Sequence, residues 1–232
     1  MDQQFAQGLY TASTWVIPVL LAITLHEAAH GYAARYFGDD TAWRMGRVTL
    51  NPLKHIDPFG SILLPAFLLL VRSPFLFGYA KPVPVNFGAL HDPRRDMIFV
   101  ALAGPGMNIA LAILAALLFH VVAYLPPAAA QWLGQNLVNA IIINVVLAVF
   151  NMIPLPPLDG GRVVTGLLPP SIARSYQNLE PYGMPILIGL IFILPLIGQN
   201  LGTDLNVISW LITSVANPII QGIAWLAGGG EQ

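Results

Sequence analysis

The chain has 232 residues, 56% of them hydrophobic and only 9% charged, and its mean hydropathy is +0.69. Soluble domains carry about 25% charged residues, so this composition excludes an ordinary soluble domain and indicates an integral membrane protein. The net charge of −1 gives no electrostatic basis for binding nucleic acid, and with no cysteine the chain has neither disulfides nor thiolate metal ligands.

The first apolar run predicts a span over residues 9–33. A secretory signal needs a basic leading region, whereas the only charge before His26 is Asp2, so this run reads as a retained helix. It ends in "AITLHEAAHGYAARYFG" (22–38), which carries His26, Glu27 and His30. "AWRMGRVTLNP" (42–52) reads as a small cytoplasmic-side β-hairpin turning at Gly46, with an edge able to pair with an unwound substrate strand. "FGSILLPAFLLLVR" (59–72) is short for a span of roughly 20 residues, and Pro65 interrupts it. With "SPFLFGY" (73–79) it reads as a re-entrant segment that returns to the side it entered from. "YAKPVPVN" (79–86) follows, and its prolines restrict it to the edge of any sheet.

Residues 97–158 contain no Asp, Glu, Lys or Arg. "LPPAAAQ" (125–131) divides this block into spans at about 98–123 and 136–153, and "GQNLGTD" separates two more at about 183–198 and 205–226. The expected fold is an all-α polytopic membrane protein of about five transmembrane helices, plus the re-entrant segment and the hairpin. It forms a single membrane-embedded domain over 1–232, with the motifs in about 12–165 and a C-terminal helix pair in about 183–226. Nine of the ten basic residues fall in loops on one side of this topology, Arg72 being the tenth. By the positive-inside rule that side is cytoplasmic, with the N-terminus outside and the C-terminus inside.

His26 and His30 lie one turn apart on one helix face. Two imidazoles so placed can share Zn²⁺, and Glu27 beside them can take a proton from the attacking water. Ionisable groups inside a membrane are costly and usually functional. Asp159, in "FNMIPLPPLDGGR" (150–162), ends the charge-free block on the same side of the membrane and can supply a third ligand. Pro154, Pro156 and Pro157 preclude regular helix before it, and irregular backbone at membrane depth must line a cavity or pack against protein.

"HEAAH", then "LAGPGMN", then "NMIPLPPLDGG" together resemble the site-2 protease family of intramembrane zinc metalloproteases. The resemblance spans about residues 12–165 and describes a compact form without PDZ or CBS domains. It implies Zn²⁺ on His26, His30 and Asp159, Glu27 as general base, and cleavage of peptide bonds in or near the spans of membrane-protein substrates within the lipid bilayer. It also gives Asn151 the role of oxyanion donor beside the metal. Asn144 reads as a packing residue between spans, and Asn108, with Gly104 and Gly106, as a place where helices approach closely. His55 is a solvated loop histidine or a neighbour of the metal. The expected location is the plasma membrane of a prokaryote, with the site toward the cytoplasm. A zinc-carrying scaffold or transporter without catalysis is the competing function. It would place ionisable groups at several depths, but the charge-free block offers only His120, and the base Glu27 is present.

Overall fold

The computed structural model describes residues 3–70 and 78–228, and these are helical throughout, joined by turns and extended connections. Helix α1 runs over Gln3–Tyr36, 34 residues or about 51 Å at 1.5 Å per residue. A single helical turn, α2 (Thr41–Arg44), follows it, and a π-turn over Pro58–Leu63 leads into α3 (Leu64–Leu70). Then come α4 (Pro93–Val122), α5 (Pro127–Asn151), α6 (Asp159–Leu167), α7 (Pro170–Gln177), α8 (Glu180–Ile188), α9 (Leu194–Leu201) and α10 (Val207–Leu226). α8 and α9 are joined through a π-turn at Gly189–Ile193 into one apolar helix, Glu180–Leu201.

Among the described residues, five helices are long and apolar enough to cross a membrane: α1, α4, α5, the α8–α9 unit and α10. Their outward faces carry exposed Leu, Ile and Val, including Leu114, Leu117, Val121, Ile193 and Leu196. The protein is an integral, multi-pass membrane protein. Each π-turn ends two residues before a proline. Leu64 and Leu194 reach back five residues, to Phe59 O and Gly189 O, immediately ahead of Pro65 and Pro195. A proline has no N–H to continue the regular ladder, and the widened turn absorbs that break.

α1, α4 and α5 form the centre. Ala112, Ala115 and Ala116 of α4 pack against Leu137, Ile141 and Val145 of α5, with Ala216 and Ile223 of α10 closing the cluster. Small residues along one face of α4 bring the α5 backbone close. A second cluster, of Ile153, Leu187, Ile191 and Ile208, seats the α8–α9 unit against the turn after α5.

Two expectations are corrected. The hairpin at 42–52 is absent. Gly46 has φ +62°, and Arg47 N–H bonds to Ala42 O while Gly46 N–H bonds to Trp43 O. This is a Schellman stop for α2, a second use of a left-handed glycine besides a hairpin turn. The third span also begins earlier than expected. Pro127 occupies the first turn of α5, where a missing N–H costs nothing, and Ala128–Ala130 continue it as helix. Residues 71–77, which hold most of the expected return leg (73–79), lie outside the described residues. On either side of them, Tyr79 N–H bonds to Gly60 O at 3.1 Å and Ser61 Oγ donates to Tyr79 O at 2.9 Å.

Candidate metal centre

His26 and His30 lie six to ten residues before the end of α1, about 9–15 Å along its axis. Their Nε2 atoms are 3.0 Å apart, and each is 3.3 Å from Asp159 Oδ2. All three residues are buried. The helices thus bring together the three residues expected as ligands, and they are positioned to bind a metal ion.

The hydrogen-bond network is compatible with a cation there. His30 Nδ1 lies 2.7 Å from Val100 O, an obligate acceptor, so Nδ1 carries the proton. His26 Nδ1 lies 2.6 Å from Asn108 Oδ1, whose orientation is set because Asn108 Nδ2 donates to Ala22 O and to Asn144 Oδ1. In the neutral imidazoles both Nε2 atoms are then lone pairs facing each other and Asp159 Oδ2, a buried oxygen with no hydrogen-bond partner among the described residues. Three converging lone pairs with no proton between them repel, unless a cation sits among them. A tetrahedral zinc with ligand bonds of about 2.0–2.1 Å has donor–donor edges of about 3.3 Å, close to the separations seen. The N₂O donor set fits Zn²⁺, and zinc is the cofactor.

Local sequence explains the convergence. Gly104 of α4 lies directly against both imidazoles, and a Cβ there would overlap His30 Nε2 and His26 Nε2. After α5 the chain turns through Met152–Leu158, where the prolines break the helix and the Pro156–Pro157 bond is cis. Gly160 and Gly161 lie against the backbone of Met152 and Pro156, too tightly for any side chain. Asp159 is not on an irregular loop, as its proline-rich approach suggested, but is the first residue of α6. That helix is tied at its far end by Arg94, whose Nε donates to Gly166 O at 2.9 Å and whose guanidinium also reaches Leu168 O.

Glu27 is half-buried on the neighbouring face of α1, and its Oε2 accepts a hydrogen bond from Val83 N–H at 2.7 Å. Asn151 ends α5, half-buried, with Nδ2 donating to Leu147 O at 3.0 Å in its own helix, so its second amide hydrogen is left for another partner. His55 is buried but outside the cluster. Its Nε2 donates to Thr49 O and its own carbonyl accepts Lys81 N–H, so it braces the cover over α1. His91 packs on Gly38, and His120 Nε2 donates to Leu226 O.

Sequence reasoning missed the supports of the site. Asn108 and Gly104, read as helix-packing residues, touch the imidazoles themselves, and Asn144, read as packing, is the second link behind His26. Asparagines inside an uncharged block were the available signal, because an amide within a span must find a partner.

The sequence matches the family model for Peptidase family M50 over residues 14–127 and 120–195. It is 39% identical over 210 residues to YwhC of Bacillus subtilis, which is named as a zinc metalloprotease, covering 89% of this chain and 92% of that one. Rip2 of Mycolicibacterium smegmatis, also named as a zinc metalloprotease, is 31% identical over 173 residues, 74% of this chain and 64% of the relative. The archaeal MJ0611 of Methanocaldococcus jannaschii, named likewise, is 29% identical over 152 residues, 64% of this chain and 68% of the relative. No solved structure matches the chain.

Proposed function

Because the chain belongs to Peptidase family M50, the site-2 protease family, and is a zinc-dependent intramembrane metalloendopeptidase, we propose that it cleaves the spans of membrane-protein substrates with Glu27 as general base. His26, His30 and Asp159 hold the metal in this reading. The observation that carries it is the convergence of their three ligand atoms one residue away from a carboxylate. Bound zinc supplies a Lewis acid that polarises the scissile carbonyl and acidifies the attacking water. Glu27 takes the proton of that water and passes it to the leaving amine nitrogen, so it ends the cycle as it began, ionised. The second amide hydrogen of Asn151 is offered to the oxyanion.

The whole chain acts as one membrane-embedded domain in this reading. The site faces the cytoplasm of a prokaryotic cell, supported by the basic loops on that side and by the bacterial relatives. Residues 59–80 enter and leave the bilayer on that same face, supported by the pairing of Tyr79 with Gly60.

The test is Glu27→Gln in the full chain, reconstituted with a single-span reporter whose Leu/Ala helix is broken by Gly-Ser. The variant is expected to retain zinc and to cleave nothing measurable. A variant that still cleaves would remove Glu27 from the mechanism, and a wild type that binds zinc but never cleaves any single-span protein would favour the scaffold.

A further inference from the structure

Residues 79–86, "YAKPVPVN", lie across the face of α1 that carries Glu27. The segment is fixed on both sides of its centre. Lys81 N–H bonds to His55 O at 2.9 Å, and Arg47 donates to Lys81 O and Pro82 O at 2.9 and 3.3 Å. Asn86 N–H donates to Asp39 Oδ2 at 2.7 Å, and Asp39 is itself buried. Between these anchors Val83 is buried at 6% exposure, and Gly31 provides the space for it and Val48. A Cβ on Gly31 would lie 2.6 Å from Val48 Cγ2 and 3.3 Å from Val83 Cγ1.

Pro82 and Pro84 have no N–H, so Val83 carries the one main-chain donor of residues 82–84, and it meets Glu27 Oε2 at 2.7 Å. The flanking rings also hold φ near −65° and bias the residues before them toward extended backbone. The donor is thereby pre-aimed. A hydrogen bond from a main-chain N–H to a carboxylate is charge-assisted and among the stronger kinds.

We propose that the Val83 main-chain N–H is a positioning donor for catalysis. It holds Oε2 of Glu27 and leaves Oε1 as the oxygen that exchanges a proton with the attacking water. The proline-bracketed segment exists to aim that one donor. This rests on the reading of Glu27 as the base, and it assigns a role to a motif that otherwise has none.

Two measurements on the full chain in lipid nanodiscs test it. The first is amide hydrogen exchange over 80–86, where the prolines leave few amides to resolve. Glu27→Ala is expected to speed exchange at Val83 at least tenfold while Lys81, bonded to His55 O, keeps its protection. Unchanged exchange at Val83, or an equal rise at both amides, overturns the proposal. The second compares Val83→Pro with Val83→Ala on the Leu/Ala reporter. The alanine variant keeps the N–H, so the proline variant is expected to fall about 10- to 100-fold below it in kcat, the scale of one hydrogen bond to a charged group, with KM and zinc content alike. Equal kcat overturns the proposal, and so does a higher kcat for proline, which would make the segment a barrier. If Val83→Pro does not fold, the exchange measurement decides alone. Glu27→Gln separates the two readings: if it cleaves, the base assignment fails, whereas a dead Glu27→Gln with unprotected Val83 fails only this inference.

Discussion

His26 Nδ1 donates to Asn108 Oδ1 across the contact between α1 and α4, at 2.6 Å, and that bond fixes which nitrogen of the imidazole faces the metal. Asn108 cannot rotate to offer its NH₂ instead, because Nδ2 is already committed to Ala22 O and Asn144 Oδ1. Three helices thereby determine the tautomer of one ligand.

Removing that support is expected to weaken the metal rather than the fold. Asn108→Ala lowers zinc affinity about 10- to 100-fold, the usual cost of losing a hydrogen-bond partner behind a ligating histidine. Asn144→Ala acts one link further out and costs less. Chelator-competition titration of the purified variants measures both, and equal affinity for Asn108→Ala and wild type would contradict the network.

Gly104→Ala is expected to abolish stoichiometric zinc binding, since its methyl group would occupy the space of both imidazole nitrogens. Gly106→Ala is the matched control, two residues along the same helix with nothing within 4 Å of its added methyl group. It is expected to bind zinc normally and to gain about 1 kcal/mol of helix propensity. Metal analysis and thermal unfolding of the two variants check this.

His26→Ala, His30→Ala and Asp159→Ala are each expected to lose zinc and activity together. The aspartate variant should fall as far as the histidine ones, because Asp159 is anchored at the start of α6 and is the sole oxygen among the three ligand atoms. Chelation of the wild-type protein is expected to abolish cleavage, and added Zn²⁺ to restore it. Full zinc content in Asp159→Ala would disprove its place in the set.

Lys54→Cys and Asn86→Cys, made singly in this cysteine-free chain, are expected to react with a membrane-impermeant thiol reagent from the same face. The two positions flank the Gly60–Tyr79 pairing. Labelling from opposite faces would mean that residues 59–80 cross the bilayer.

The spans and the three residues positioned to bind a metal ion were legible in the sequence for the same reason. A bilayer leaves a long apolar run few roles, and it makes every ionisable residue inside one conspicuous, as His26, His30 and Asp159 were. The ambiguities came from residues with two local uses. Gly46 at positive φ serves a hairpin or a helix stop, and only the tertiary setting of Ala42, which is buried, selects the latter. Pro127 served equally as a break or as the first turn of a helix. The roles of Asn108 and Val83 depend on partners 82 and 56 positions away in the chain, which no local pattern encodes.

The three residues proposed to hold the metal are far apart in the order of synthesis. His26 and His30 leave the ribosome early, on the first span, whereas Asp159 emerges only after α4 and α5. A nascent chain halted before α6 holds two imidazoles and no carboxylate. The three-residue site thus cannot form until three spans and the start of α6 have been made, and a chain halted earlier has no blade to turn on the proteins around it.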